Sequence, residues 1–467
     1  MGLTRLGRLT LTLVVLALVG YWLYTNPEAR ERFRPRFPPP VPPARSTPAP
    51  PPAVRTTPLP PTPAGASARE RGRQQYEAGD YAGAIASLGR AITASPFDIE
   101  SIVVRENAFA RLPGRPVWRV AVAGPFTGPD KQCGQQVLFG VYYAQRQANQ
   151  AGRLPRKIVV DFYDDQASAE AAIRVAQAIT ADQETVAVVG HCNSRATLAA
   201  GPLYEAAGVP MITATSTNPD IANLGEYIFR VVGDDNDQAR ALANALWQEG
   251  RRTVAVFVDN EDAYSRGLFD NFARRFTGFG GRVFTNPFTI GGEISISTDL
   301  READAILVTG EYADAGKIAR LVRDLGVAAP IVGGDAVYSQ GLFAYGGEAA
   351  RGVRATAFYH YTVRNSPLLP RAEEFARRFE AVIHAPPNHN MATAYDAASL
   401  LLKALAEAGG DRAAIQGYLA GIGRTRAPYL GVTGKIAFDE NGEAVGKPWV
   451  LVRARERDFV ADTVIAP

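Results

Sequence analysis

The sequence predicts an α/β protein with parallel sheets in two lobes, preceded by a Pro-rich N-terminal tract and a short helical module. Three observations carry that expectation. From Val117 almost to the end, strand-like apolar runs alternate with helix-length segments, the pattern of parallel sheets with crossover helices. Roughly 340 residues of this alternation suit two cores better than one. Within it, the apolar runs Val186–Val189 and Val209–Ile212 each end in a polar, hydroxyl-bearing loop, Gly190-His191-Cys192-Asn193-Ser194 and Thr213-Ala214-Thr215-Ser216-Thr217. Loops at the carboxyl edge of a parallel sheet are where small ligands bind, and hydroxyls beside a helix N-terminus suit a carboxylate.

Taken in order, the chain opens with Leu9–Thr25, an apolar run that follows Arg5 and Arg8 and carries Tyr21, Trp22 and Tyr24 near its end. It is slightly shorter than the about 20 residues typical of a spanning helix. No small-x-small site follows it, and it has no cysteine for a lipid anchor. Residues 1–30 are therefore expected to be an uncleaved, transmembrane signal-anchor, with a cleaved signal peptide as the alternative. Arg30, Arg32, Arg34 and Arg36 lie on the far side of the run, so charge does not fix its orientation. Residues 31–65 read as a linker, because Pro38–Pro63 is rich in Pro, Ala and Thr and forms an extended spacer rather than a core.

Residues 66–114 carry helical periodicity in two bursts. Gly72, Tyr76, Gly79, Tyr81, Ala84, Ile85, Leu88, Ala91, Ile92 and Pro96 look like one tetratricopeptide repeat, with Gly79-Asp80 at the turn. Phe97–Leu112 reads as a following helix. A single repeat is marginal alone, so the hairpin either packs on the main domain or docks a protein. Beyond it, strands are expected at Val117–Ala123, Lys157–Tyr163, Val186–Val189, Val209–Ile212, Thr253–Val258, Arg282–Thr285, Ala305–Thr309 and Pro330–Val332.

Composition narrows the function. The chain has 467 residues, 46% hydrophobic, with a net charge of +3 and a mean hydropathy of −0.09. That balance gives no electrostatic footprint for nucleic acid. Two cysteines and four histidines make no metal-ligand cluster, so no cofactor or metal is expected. His191, Cys192 and Ser194 lack the elbow and acid support of a hydrolase, so an enzyme is not expected.

The domain expected at residues 115–467 resembles, over about Val117–Val460, the type I periplasmic solute-binding proteins of the leucine/isoleucine/valine-binding kind, the receptors of branched-chain amino acid ABC importers. The markers run in order: Val120–Gly128 for the first strand and loop, Asp161-Phe162-Tyr163-Asp164-Asp165 for the end of the second, and Gly190-His191 with Ser194 for the third. Pro210-Met211-Ile212-Thr213 with Thr217 follows for the fourth, Arg230 with Asp235-Asn236-Asp237-Gln238 for the crossover, and Gly434–Asp439 for the closing hairpin.

The resemblance implies two lobes, the first about 117–236 and 356–430 and the second about 237–355 and 431–460. They are joined by crossovers near Gly233–Gln238, Val353–Ala357 and Tyr429–Gly434. It implies that Ser194 and Thr217 hold an α-carboxylate, and that the Thr215 carbonyl and Asp335 hold the α-ammonium. Tyr264 and Tyr395 would flank the cleft, and Glu311-Tyr312 falls where the family often has another aromatic, with a register ambiguous by one residue.

Cys133 and Cys192 stand where the family has an aromatic and an aliphatic residue, on one side-chain pocket. They are either two free thiols or a disulfide, and leucine specificity does not carry over. The function so implied is an extracytoplasmic, membrane-tethered receptor for an amino acid or similar zwitterion, serving an ABC permease or acting as a sensor. The alternative is an envelope protein-interaction factor resembling penicillin-binding-protein activators, which also join tetratricopeptide-like helices to this fold.

Overall fold

The computed structural model describes residues 63–467 apart from 113, 115, 129, 297 and 298. The expected anchor at Leu9–Thr25 therefore lies outside the described residues, as does the expected spacer apart from Pro63. Among the described residues no helix is long and apolar enough to cross a membrane.

Five strands build the first sheet: β1 Val117–Gly124, β2 Lys157–Asp164, β3 Thr185–Gly190, β4 Met211–Thr213 and β5 Ile228–Arg230. Their order is β2-β1-β3-β4-β5, and all pairs are parallel. Every residue of β3 is buried, as expected for a strand covered by helices on both faces. The second sheet begins with β6 Thr253–Val258, β7 Arg282–Pro287, β8 Ala305–Val308, β9 Ile331–Gly333 and β10 Arg354–Ala357. A small hairpin follows, β11 Tyr429–Gly431 with β12 Gly434–Ile436, and then β13 Trp449–Arg455 and β14 Asp458–Ile465. The second sheet runs β14-β13-β10-β9-β8-β6-β7. Its first five strands are parallel, and β13 and β14 join antiparallel.

All eight expected strands are present. The sequence reading did not include β5, a three-residue strand too short to show a period, nor β13 and β14. It also placed the third crossover too early. The hairpin at Tyr429–Ile436 stays with the first lobe, because Val432 and Thr433 donate their N–H groups to buried Asp396 on the helix His389–Ala408. Phe438 packs on Phe229 of β5, and Arg230 N donates to Gly442 O. The chain reaches the second sheet only at Trp449. One residue from each crossing segment, Val232, Phe358 and Trp449, meets in a small buried cluster between the sheets. That plug is the apolar core of the junction.

The N-terminal module is three helices, Pro63–Glu77, Tyr81–Ala94 and Ile99–Arg111, so helix begins inside the expected linker. Gly79 turns the hairpin with φ +79°, which costs glycine nothing. Asp80 then caps the second helix by accepting from Gly83 N. The third helix lies on β2, an edge strand of the first sheet. Asn107 Nδ2 donates to Val160 O at 2.7 Å, and Val160 N donates to Asn107 Oδ1 at 2.9 Å. Asn149, on the helix Lys131–Ala151, makes the same pair with Ile158 at 3.0 and 2.8 Å. Two side-chain amides thus satisfy backbone groups that an uncovered edge would offer to another chain. The hairpin is packed on the main domain, and its apolar residues join the first lobe's core.

Candidate functional site

The loop after β3 is held from beneath. Asp165, at the end of β2, receives His191 Nδ1 at 2.6 Å, and His191 Nε2 meets the Tyr204 hydroxyl at 3.1 Å. All three side chains are fully buried or nearly so. The His191 carbonyl accepts from Thr213 Oγ1 and Ser216 Oγ at 3.0 and 3.2 Å. This strut locks the β3 and β4 loops together and leaves His191 no access to a substrate. Asp164 does similar work for the β1 loop, accepting from Phe126 N at 2.7 Å and from Thr127 N at 3.3 Å.

On that base sits the helix Ser194–Ala206. Asn193 is its cap, accepting from Ala196 N, so Ser194 is not spent on capping. Ser194 Oγ instead accepts from Asn218 N at 3.1 Å, which joins the two loops and leaves its own proton to donate. Thr215 donates its hydroxyl to Cys192 O. Thr217 reaches across the junction: its carbonyl accepts from Asp235 N at 2.9 Å.

From the second lobe, Asp335 stands just after β9, at the start of a short helical turn. Its Oδ1 accepts from Gln238 Nε2 at 2.7 Å and from the Tyr264 hydroxyl at 3.1 Å. Gly334 has to be small here, since a Cβ would lie 2.2 Å from that hydroxyl and 2.7 Å from Gln238 Oε1. Burial raises the Asp335 carboxyl above its ordinary range, and the hydrogen bonds from Gln238 and Tyr264 partly offset this. Asp235 rises further, to about 8, by burial first and the neighbouring Asp335 charge second. The Thr217 side chain and Arg230 pull the other way.

The structure thus brings Ser194, Thr215, Thr217, Tyr264 and Asp335 to one junction. Tyr395 does not join them. Its ring packs among Tyr143 and Phe375, with centroids 5.5 and 4.8 Å away, and its hydroxyl donates to Gln147 at 2.9 Å. It belongs to a helix–helix interface of the first lobe. Glu311 caps the helix Tyr312–Asp324, and its carboxyl is raised by burial and then by the charge of Asp130 of the first lobe. Cys133 and Cys192 are both free; burial first, and the neighbouring Cys133 second, hold the Cys192 thiol well above its usual range. Beside Cys133, Asn390 Nδ2 donates to Gln136 Oε1 at 2.8 Å.

Sequence reasoning passed over Asp235 and Gln238 as members of this junction. Both occur in the stretch that marks the crossover, and acids at a helix start read as caps. Only Asp234 is the cap, accepting from Asp237 N.

Two α/β lobes joined by three crossing segments, with donors on one lobe and acceptors at the junction, define a cleft-closing binding protein. A family model described as periplasmic binding protein matches residues 117–458, and the chain belongs to that family. It is a family of binding proteins and not of enzymes. Among curated relatives, a leucine-, isoleucine-, valine-, threonine- and alanine-binding protein of Pseudomonas aeruginosa is 28% identical over 340 residues, covering 70% of this chain and 86% of the relative. A Leu/Ile/Val-binding protein homolog of Brucella melitensis is 26% identical over 331 residues, covering 69% and 86%. The crystal structure of a leucine-binding protein from Thermotoga maritima is 29% identical, with a TM-score of 0.66 and coverage of 75% of this chain and 99% of that one.

Proposed function

We propose that the chain is an extracytoplasmic receptor for an amino acid or similar small zwitterion, tethered to the membrane through Leu9–Thr25 and feeding an ABC permease or a sensor. The observation that carries this reading is the pairing of opposite preferences at one junction. On the first lobe, the Ser194 hydroxyl and the first-turn amides of the helix Ser194–Ala206 suit a carboxylate, since such amides have no partner within their helix. Facing them, the Thr215 carbonyl and the Asp335 carboxylate suit an ammonium group. A ligand that satisfies both ends touches both lobes and stabilises the closed cleft.

The relatives named for leucine, isoleucine and valine support an amino-acid ligand. The thiols of Cys133 and Cys192, with Asn390 and Gln136 beside them, make the side-chain end of the cleft unlike a purely aliphatic socket. A thermal-shift screen of the full chain against amino acids, small amides and carboxylates tests the reading. A ligand that binds the folded state alone raises the midpoint by mass action. Stabilisation by α-amino acids is expected, and no stabilisation by any compound at millimolar concentration would refute it.

A further inference from the structure

The acids that open the helix Asp235–Gln248 look alike in sequence but are placed differently. Asp234 caps the helix, and Asp237 pairs with Arg240 on the surface. Asp235 turns inward and is 2% exposed, and its Oδ1 has no hydrogen-bond partner among the described residues. Gln238, fully buried, gives its Nε2 to Asp335 and leaves its Oε1 without a partner as well.

The charged and titratable groups around Asp235 come from every element packed on it. Asp335 lies on the β9 loop, Asp234 precedes it, Arg230 ends β5, and the Tyr264 phenol comes from the following helix. Arg230 is the only cation among them, and it is already engaged by Glu443, Asp234 and the Asn218 carbonyl. The site therefore gathers two carboxyl groups and an unpaired amide oxygen around one cation, Arg230, which is drawn to Glu443 and whose Nε makes no hydrogen bond to any of them. A fully buried carboxyl beside a half-buried one makes a second negative charge costly, and an incoming cation removes that cost.

We infer that the Asp235–Asp335 pair holds one proton in the empty receptor and releases it to solvent when the ligand's ammonium group enters between them, so that binding is coupled to proton release and demands an amine. The incoming N–H groups then serve Asp235 Oδ1 and Asp335, and the Tyr264 phenol keeps its proton throughout, its acidity suppressed by burial. This rests on the zwitterion reading above and makes Asp235 a residue that selects amines over plain carboxylates.

Isothermal titration of the full-length chain tests it, with L-leucine, L-threonine and L-alanine as probes and with 4-methylpentanoate as the amine-free analogue. Titrations at pH 6 in two buffers of different ionisation enthalpy count the protons released. The expected result is close to one proton per bound amino acid. Affinity should rise by about tenfold per pH unit between pH 5 and 7, and 4-methylpentanoate should not bind. Asp235→Asn should abolish both the release and the pH slope. Asp335→Asn, which removes the other member of the pair, should shrink them too and serves if the first variant does not fold.

Amino-acid binding with no proton released and no pH slope would overturn the inference and leave the receptor reading standing. Binding of 4-methylpentanoate as tight as L-leucine would remove the ammonium subsite. Failure of all the amino acids to bind would overturn both readings.

Discussion

Replacing Asp335 by Asn removes one negative charge and little else. The structure fixes what each substitution at this position leaves behind. Asp335 Oδ1 takes hydrogen bonds from Gln238 Nε2 and the Tyr264 hydroxyl, and Asn keeps an oxygen there to accept both. The folded state loses the charge assistance of those bonds but also sheds a buried carboxylate that burial disfavours. The two effects oppose each other, so stability should change by no more than about 1 kcal/mol. Binding is different, because the ligand's ammonium loses a charge partner inside the cleft. That costs about 2–5 kcal/mol, or roughly 30- to 5,000-fold in Kd. Asp335→Ala is the contrasting variant. It strands buried Gln238 Nε2 and the Tyr264 hydroxyl, so it should cost about 1–3 kcal/mol of stability for each group as well. Calorimetry of amino-acid binding, with urea denaturation on the same preparations, separates the two quantities. Unchanged affinity in Asp335→Asn would remove Asp335 from the site. A loss of affinity matched by a loss of stability would show a structural role instead.

Other consequences follow from the same geometry. Asn107→Ala strands the N–H and C=O of buried Val160 and should cost about 2–5 kcal/mol in urea denaturation; a loss below about 0.5 kcal/mol would mean that the N-terminal helices are only loosely docked. Asp235 holds its proton in the folded state up to about pH 8 but ionises near pH 4 when unfolded. The ligand-free protein should therefore lose stability as pH rises from 4 to 8, and Asp235→Asn should flatten that slope. Equal slopes in melting curves of the two proteins would exclude this assignment. Cys133 and Cys192 are neighbours, close enough for Cys133 to act on the acidity of Cys192, so an oxidising envelope should link them; peptide mapping without reductant would find the pair, and two separately alkylated thiols would argue against it. A mature chain retained in the membrane fraction is expected from the apolar run at Leu9–Thr25, and N-terminal sequencing that begins beyond Thr25 in soluble protein would replace the tether with a cleaved signal.

Much of the site was legible because its parts are local. Ser194, Thr215 and Thr217 follow directly on apolar strands, and a parallel strand delivers the next residues to the carboxyl edge wherever else the chain goes. Asp335 entered instead through the family resemblance, on the match of Gly333-Gly334-Asp335, and it stands just after β9. Tyr395 was misplaced because an aromatic on a helix carries no sign of which face it covers; here the Tyr143 and Phe375 rings enclose it. The third crossover was misplaced because β11 and β12 look like strands of either lobe. A long-range contact decides the matter, since Asp396, some 36 residues earlier, claims the turn between them.

The sequence by itself determined the α/β alternation and which polar loops follow which strands, since these follow from apolar periodicity and turn chemistry along neighbouring residues. Only the tertiary structure decided how the acids at the junction differ. Asp234, Asp235 and Asp237 are chemically identical and nearly adjacent, yet one caps a helix, one is buried beside Asp335 and one pairs with a surface arginine. It also decided that the N-terminal helices are part of the first lobe, through the amide of Asn107 on their third helix, which pairs with Val160 at the edge of β2. Both outcomes depend on which distant group arrives opposite a side chain, and burial and charge act on that encounter rather than on the residue's place in the chain.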